Sequence, residues 1–312
     1  MEKIKLLFLT KDDSHYIVPA SHYFLKELSR YTDLRVSHDS GNIEDILGKI
    51  DFEPDFIYLN DYLENSSPVV TGLRSLQIPF AVGLHDLHFR YPDRKKDLIN
   101  EEVKHIFTYY KDKFLQWYPE FTNQMRWIPH HVNTNIYKDY GLNKEIDFLL
   151  MGATLEDFYP LRLSIINRFK GRPEFVHHPH PGYRQVNSNE HGVFVGERYA
   201  KELNRAKICL TCDSIHKYTL MKYFEITACN SLLLAPYSDE FYELGFIPGV
   251  NFVSIDENNF EEQAYYYLHA EEERKMIAYN GMKMSHAKHS TTKRVLEFLE
   301  TIDEILNQET IQ

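Results

Sequence analysis

The chain has 312 residues, more than one average domain needs and enough for two. Hydrophobic residues make up 43% of it, which excludes a wholly disordered chain. The net charge of −11 argues against a general nucleic-acid binder, whose affinity would need a basic surface. The three cysteines, Cys209, Cys212 and Cys229, are too few for a disulfide framework and indicate a reduced, cytoplasmic setting. We also expect no secretory signal and no transmembrane segment, because no apolar run approaches the required length.

The first part of the chain alternates predicted strands and helices. Apolar runs bounded by turn residues indicate strands, and apolar residues at a spacing of three to four indicate helices. In chain order, the prediction is strand 4–10, helix 16–31, strand 35–38, helix 43–50, strand 55–59, helix 67–76, strand 79–84, helix 100–105, strand 106–108, helix 111–117 and strand 125–128. This alternation is typical of a parallel sheet with helices on both faces.

The alternation stops over 129–143, which we interpret as a connector, and then starts again. The second series is strand 146–151, helix 161–169, strands 174–177 and 192–195, helix 199–205, strand 207–211, helix 219–230, strand 231–235, helix 241–244, strand 251–255, and helices 260–270, 270–284 and 292–307. The sequence therefore predicts an α/β fold with two Rossmann-like domains, over 1–142 and 143–290, and a last helical segment over 291–312.

In open parallel α/β sheets, ligands lie at the carboxyl ends of the strands. With two such domains in one chain, we expect the site in the cleft between them. The loops expected to line this site begin after Thr10, Leu59, Leu84, Met151, Thr211 and Ala235.

The segment 219–235 carries the most specific pattern in the chain. It predicts a helix that ends at Asn230, a residue suited to a left-handed cap, and continues into a buried strand. Lys222 and Glu225 are three residues apart on this helix and therefore lie on about the same side. Such a pair suits a nucleotide, with the cation on a diphosphate and the carboxylate on the ribose hydroxyls. The alternative is an ordinary ion pair on the helix surface.

A second phosphate site is predicted where the domain over 143–290 begins. Gly152 opens a loop of small residues that leaves backbone N–H groups accessible to an anion, and Arg162 lies in the following helix. A polar segment follows the predicted strand that ends at residue 211. We expect Asp213, Lys217 and Tyr218 from this segment to contact the base or the sugar of a nucleotide.

His85 and Asp86 follow the predicted strand over 79–84 and so lie at a carboxyl edge of the first sheet. Imidazole has a pKa near neutral pH, so His85 suits general-base work. Either residue could position or deprotonate an acceptor hydroxyl. The alternative is a solvated loop without a catalytic role.

Other patterns point away from cofactor chemistry. The sequence contains neither the dinucleotide fingerprint GxGxxG nor a phosphate P-loop, which argues against an NAD or FAD enzyme. The histidines within 130–131 and 177–180 suggest a metal at first, but such neighbours spread their rings in different directions, so we interpret them as loop residues and expect no metal. Cys209 and Cys212 end an apolar run, which favours burial over redox or metal chemistry.

The motifs from Gly196 to Arg294 together resemble the glycosyl-transferase-group-1 type C-terminal domain of GT-B glycosyltransferases, most closely that of spore-maturation CgeB-like proteins. The family has a basic residue three positions before a Phe-Glu pair, here Lys222 and Phe224-Glu225. Further similar positions are Pro248-Gly249, the strand over 253–256, Glu272, Arg274, Ala278, Gly281, His289 and Arg294, together with an acceptor-side His-Asp segment over 83–87 and an interdomain strand and loop over 128–137.

The resemblance implies a GT-B fold, with two Rossmann-like domains facing a cleft. It implies transfer of a sugar from a nucleotide sugar, with UDP favoured, to a glycan, protein or small-molecule acceptor. Glu225 would bind the ribose, and Lys222 and Arg162 the diphosphate. The reaction would retain the anomeric configuration and need no metal or resident cofactor, because cations and helix N-termini stabilise the leaving diphosphate. The last helix would cross back to the first domain.

Two positions depart from the family pattern. Retaining members often carry a further Glu eight residues earlier, where this chain has Lys217, and Asn230 replaces a Gly of the turn. The missing Glu leaves the donor sugar open and favours one alternative, a non-catalytic protein that binds a nucleotide sugar or a glycan. The other alternative is a sugar-nucleotide 2-epimerase on the same architecture.

Overall fold

The computed structural model describes residues 3–63, 67–187 and 190–310. The chain forms two compact units. The first comprises Met1–Ser14, Ser21–Pro129 and Arg294–Gln312, and the second comprises His15–Ala20 and His130–Lys293. The chain thus passes between the units at 14–15, 20–21, 129–130 and 293–294, whereas the sequence predicted boundaries at 142–143 and 290–291. Residues 311–312 of the predicted last segment lie outside the described residues.

The first unit is built on a parallel sheet of six strands in the order β2-β1-β4-β6-β7-β8. The strands of this unit are β1 (Lys5–Leu9), β2 (Asp33–Ser37), β3 (Gly41–Asn42), β4 (Phe56–Leu59), β5 (Val70–Thr71), β6 (Phe80–Leu84), β7 (Ile106–Thr108) and β8 (Met125–Trp127), of which β3 and β5 form a separate parallel pair. The winding direction reverses between β1 and β4, because β2 lies on one side of β1 and the later strands lie on the other. The loops after β1 and β4 therefore diverge at the carboxyl edge.

Local side-chain chemistry explains where two helices of the first unit begin. They are α1 (Ala20–Leu28), α2 (Ile43–Leu47), α3 (Tyr91–Asn100) and α4 (Lys111–Trp117). Asn42 caps α2, since its side chain accepts a hydrogen bond of 2.9 Å from the backbone N–H of Glu44. Pro92 lies in the first turn of α3, where its missing N–H removes no helical hydrogen bond.

The second unit is built on a parallel sheet of five strands in the order β10-β9-β11-β12-β13. Its strands are β9 (Ile146–Gly152), β10 (Phe175–Pro179), β11 (Ala206–Leu210), β12 (Leu232–Ala235) and β13 (Val253–Ser254), and its helices are α5 (Pro160–Phe169), α6 (Gly196–Asn204), α7 (Met221–Ala228), α8 (Asp239–Glu243), α9 (Phe260–His269) and α10 (Glu271–Lys288). Here the winding reverses between β9 and β11. Their diverging loops mark the expected binding edge of this sheet.

The last helix, α11 (Thr291–Thr310), supplies core to the first unit from Arg294 onward. Val295, Phe298, Ile302 and Ile305 recur at helical spacing and are at most 1% exposed. They pack with Leu6, Phe8, Phe56, Tyr58 and Phe107 of the sheet in one apolar cluster. The ring of Phe298 lies 5.0 Å from that of Tyr58 and 5.1 Å from that of Phe107, measured between centroids.

The structure overturns several predicted elements. The helix expected over 67–76 is replaced by β5 and a short 3₁₀ turn, because Gly72 adopts a φ of +80° that ends regular structure. The helix expected over 100–105 lies earlier, as α3. The helix expected from residue 16 begins at Ala20, after Pro19. The strand expected over 192–195 is absent from this described segment. Asn230 does adopt the predicted left-handed conformation, with φ +56°.

Candidate functional site

Three predicted residues meet at the carboxyl edge of the second unit, where the loops after β9 and β11 diverge. Gly152 ends β9 with a φ of +150°. A Cβ atom at this position would lie 2.9 Å from Nη1 of Arg162 and 3.1 Å from Cε of Lys222. The absence of a side chain at Gly152 therefore lets a guanidinium from α5 and an ammonium from α7 approach the same point of the backbone.

Arg162 is held by the loop that it borders. Its side chain is buried, and Nη1 donates a hydrogen bond of 2.6 Å to the carbonyl of Ala153. The guanidinium carbon lies 4.0 Å from the centre of the Tyr159 ring, a cation–π contact that fixes its plane. The buried Nε and Nη2 atoms have no hydrogen-bond partner. A buried guanidinium with donors left over is suited to an anion.

Lys222 lies in the first turn of α7, whose first turn carries no acidic residue. Its Nζ atom lies 3.4 Å from the hydroxyl of Tyr199. Burial lowers the pKa of Lys222 to about 8, an effect that the Glu225 carboxylate opposes and Arg162 reinforces. Two neighbouring cations in a poorly solvated place repel each other, so a bound polyanion would relieve an unfavourable interaction.

Glu225 is only 9% exposed, which excludes the surface ion pair considered from the sequence. Burial raises the pKa of its carboxyl group, while Lys222 and a hydrogen bond from Tyr137 lower it. The helix α7 thus presents a cation and a carboxylate in one buried region. The structure brings Gly152, Arg162, Lys222 and Glu225 together at one edge of the second sheet.

The other three predicted binding residues follow β11. Asp213 is paired with Lys217, with 3.3 Å between Oδ2 and Nζ, and the Lys217 side chain is 63% exposed. Burial raises the pKa of Asp213, and Lys217 lowers it. Tyr218 is 3% exposed and its ring lies 5.4 Å from that of His216. Asp213 and Arg162 both act on the pKa of Tyr223, which Asp213 raises and Arg162 lowers.

Sequence reasoning did not select Tyr223 and interpreted His180 as a loop residue, but Arg162 lowers the pKa of both. The hydroxyls of Thr211 and Tyr223 are buried and have no hydrogen-bond partner. His180 also faces the cations: burial lowers its pKa to about 4, and Lys222 and Arg162 contribute in the same direction. Thr211 opens the polar segment that was predicted after β11, but no local pattern predicts that α5, α7 and the residue after β10 converge.

In the first unit, His85 and Asp86 follow β6 as predicted, but their surroundings differ. The His85 ring stacks on Tyr109, with 4.4 Å between centroids. Its Nδ1 lies 3.4 Å from Oδ1 of Asp61. Burial lowers the pKa of His85 to about 3, so the ring is neutral and this contact is not an ion pair. Asp86 is exposed, and its carbonyl accepts a hydrogen bond of 2.9 Å from the buried Arg94.

Asp61, which the sequence reasoning did not select, has a pKa close to neutral pH, unlike its neighbour His85. Burial raises its pKa to about 7, against the opposing effects of Lys11 and Arg94. A carboxylate with such a pKa is better matched to proton transfer near neutral pH than the His85 imidazole is. The only clue in the sequence was its position two residues after β4.

The histidines that suggested a metal are dispersed. His177 lies in β10, as the strand predicted over 174–177 implied. His178 also belongs to β10, which corrects its interpretation as a loop residue, and its Nε2 lies 2.8 Å from Oε1 of Glu202. Among the residues that the structure describes, no group of three or more His, Cys, Asp or Glu side chains could hold a metal ion. All three cysteines are buried and free.

The fold is similar to that of solved GT-B glycosyltransferases. The Anabaena protein HepE, solved in complex with UDP-glucose, is 12% identical with a TM-score of 0.65, over 96% of this chain and 100% of HepE. A glycosyltransferase from Rickettsia africae is 12% identical with a TM-score of 0.60, over 90% of this chain and 87% of its own. Sucrose-phosphate synthase from Thermosynechococcus elongatus is 11% identical with a TM-score of 0.58, over 85% and 77%.

The architecture and the two parallel sheets therefore define a GT-B glycosyltransferase fold. The family model described as glycosyl transferase-like matches residues 142–300, just over half of the chain. The chain belongs to this glycosyl transferase-like family, and its enzyme class is that of the glycosyltransferases. No curated protein is significantly similar to it in sequence. Within the described ranges, no helix has the length and apolar character needed to cross a bilayer.

Proposed function

We propose that the protein transfers a sugar from a nucleotide sugar to an acceptor and that its second unit binds the donor. The observation that carries this proposal is the cluster of Arg162, Lys222 and the buried Glu225 at the edge where β9 and β11 diverge. HepE was solved with UDP-glucose and with UDP and glucose, which supports a UDP-sugar as the donor. Kinship with the CgeB-like proteins is proposed from the sequence motifs alone.

Each side chain of the cluster has a role that its contacts support. Nε and Nη2 of Arg162 would donate to the diphosphate, together with the Lys222 ammonium and the backbone at the start of α7. Glu225 would accept hydrogen bonds from the ribose hydroxyls. Asp213, Lys217 and Tyr218 would lie at the base or the sugar.

The transfer breaks the bond between the sugar C1 and the diphosphate oxygen, and it forms a bond from C1 to the acceptor oxygen. Arg162 and Lys222 would stabilise the charge that develops on the leaving diphosphate, so we propose a reaction without a metal ion or a resident cofactor. We propose retention at C1, with the leaving diphosphate taking the acceptor proton. Inversion, seen by NMR in the first product formed, would instead indicate a carboxylate base such as Asp61.

On the acceptor side, we propose that His85 and Asp86 position the acceptor hydroxyl. The stacking of His85 on Tyr109 supports an orienting role, since it fixes the ring plane. The buried, free state of the three cysteines supports a reducing compartment, and we propose the cytoplasm.

The test is Glu225→Gln, which removes the charge and keeps the shape. Loss of a charged hydrogen-bond acceptor should weaken UDP binding roughly 10- to 100-fold in isothermal titration calorimetry. The melting temperature should stay the same or rise, because Gln removes a buried charge. Glu262→Gln, at an exposed position on α9, is the matched control. An unchanged Kd for UDP would refute the role of Glu225, and no binding of UDP, GDP, ADP or dTDP sugars by the wild type would refute the proposed function.

A further inference from the structure

A second set of unsatisfied polar groups lies in the first unit, at the carboxyl edge between β1 and β4. Asp13 follows β1, and Asp61 follows β4. These strands are paired in parallel, Leu9 opposite Leu59, so the two loops leave neighbouring points of the edge. The winding of the sheet reverses between these strands, and such a point is where open α/β sheets bind ligands.

Both carboxylates are buried and only partly satisfied. Asp13 is 6% exposed and Asp61 is 9% exposed. Asp13 accepts a hydrogen bond from the side chain of Ser21, and Asp61 accepts one from the backbone of His85. The Oδ1 atom of each carboxylate is buried without a hydrogen-bond partner; Nδ1 of His85, 3.4 Å from Oδ1 of Asp61, makes no hydrogen bond to it. Such an atom costs free energy unless a donor reaches it, so two of them on adjacent loops indicate a ligand with at least two donors.

The two carboxylates share the same surroundings. Lys11 opposes the effect of burial on the pKa of each, and both carboxylates raise the pKa of Tyr109. Lys11 therefore offsets part of their negative charge. The neutral His85 adds none. Arg94 also opposes the negative charge at Asp61, whereas Asp86 adds to it there and Asp12 adds to it at Asp13. The carboxylates thus lie among cations as well as other carboxylates, and a neutral ligand with hydroxyl donors can satisfy their oxygens without bringing a further charge.

The wall of this edge is aromatic. His85 and Tyr109 stack with an interplanar angle of 26° and form one flat surface. Behind this surface, the absence of a side chain at Gly83 gives room to the Tyr58 hydroxyl, since a Cβ atom there would collide with it and would lie 3.4 Å from the backbone N of Asp61. Flat aromatic surfaces pack well on the C–H face of a sugar ring, whereas carboxylates accept hydrogen bonds from its hydroxyls.

We propose that Asp13 and Asp61 form an acceptor subsite that binds two hydroxyl groups of an uncharged carbohydrate. The inference rests on the proposed function, because it assigns the acceptor class of the same transfer reaction. It narrows that acceptor to a sugar and adds two binding residues, with Oδ1 of each carboxylate as the accepting atom.

The experiment measures acceptor binding without the donor. Saturation-transfer NMR on the whole protein uses the methyl glycosides of glucose, galactose, mannose and N-acetylglucosamine as neutral probes, and ethanolamine as the ammonium probe. At least one glycoside should bind. Asp13→Asn and Asp61→Asn should each weaken its binding at least 10-fold. The control, Asp33→Asn, replaces an exposed carboxylate at the amino end of β2 and should change nothing.

Failure of the inference and failure of the proposed function give different results. Binding of ethanolamine in place of the glycosides, binding of no probe at all, or unchanged glycoside affinity in both Asn variants would overturn the subsite. The Kd for UDP should stay within twofold of the wild type in all variants. If the wild type binds glycosides through these carboxylates and no nucleotide sugar, the subsite stands as a carbohydrate site and the transfer reaction is refuted.

Discussion

At the scale of single residues, each unit places incompletely paired charged side chains at the carboxyl edge of its sheet: carboxylates in the first unit and cations in the second. Arg162 and Lys222 in one unit, and Asp13 and Asp61 in the other, are charged groups that the fold buries without full pairing. Burial of this kind destabilises the folded chain, and ligand binding is its natural compensation. The pKa values of about 8 for Lys222 and about 7 for Asp61 express that cost.

The free-energy cost of burying the Asp61 carboxylate can be measured as a pH-dependent change in the free energy of unfolding. Its pKa rises from about 4 in the unfolded chain to about 7 in the folded one, so folding favours the protonated form. The folded state therefore loses stability as the pH rises from about 4 to about 7, and the full penalty, at most about 4 kcal/mol, persists above pH 7. Asp61→Asn should raise the free energy of unfolding at pH 8 by up to that amount, and the difference should vanish at pH 4.

Urea unfolding followed by tryptophan fluorescence measures this change in the relevant unit, because both tryptophans, Trp117 and Trp127, lie in the first unit. The charged and titratable groups around Asp61 are Lys11, His85, Asp86, Arg94 and Tyr109. A pH-independent difference between Asp61→Asn and the wild type would contradict the raised pKa.

At the scale of elements, the site in the second unit depends on how closely α5 and α7 approach the end of β9. Gly152→Ala tests this approach, since its Cβ would collide with Arg162 and Lys222 and its φ of +150° disfavours any side chain. We expect UDP affinity to fall at least 10-fold. Gly171→Ala is the control: Gly171 also has a positive φ, +81°, but nothing lies within 4 Å of its Cβ position, so the variant strains the backbone without a collision and should leave UDP affinity unchanged.

Elements with a strong local signal were predictable from the sequence. The buried strands β1, β4, β9 and β12 are continuous apolar runs, and the helix that carries Lys222 and Glu225 has its predicted left-handed end at Asn230. Weakly patterned segments were not predictable: within 67–76, Val70 and Thr71 form a strand by pairing with Gly41 and Asn42, which lie far away in sequence.

The residues of the candidate site also divide into those that a local sequence pattern predicts and those that it does not. Gly152, Arg162, Lys222 and Glu225 were found because each stands at a strand end or on a helix face that spacing defines. Asp61 and Tyr223 were missed because each is distinguished by a buried oxygen atom without a hydrogen-bond partner. Only three-dimensional packing determines whether a buried atom has such a partner.

At the scale of the whole molecule, the first unit is discontinuous in sequence, and α11 completes its core. Phe298→Ala should destabilise this unit by about 3–5 kcal/mol, because it opens a cavity among the rings of Phe24, Tyr58 and Phe107. Leu296→Ala on the same helix, at a side chain that is 45% exposed, should cost less than about 1 kcal/mol. Urea unfolding by tryptophan fluorescence distinguishes the two, and equal effects would contradict the core role of α11.

The placement of α11 also sets the order in which the chain can mature on the ribosome. Synthesis proceeds from the amino end at roughly 5–20 residues per second, and domains usually fold as they emerge. Here Leu6 and Phe8 emerge long before their partners Ile302 and Ile305. The part of the apolar face that α11 covers must therefore stay exposed until all of 130–293 has been translated. The second unit can fold first, and the nascent first unit is the part of this protein that we expect chaperones to protect.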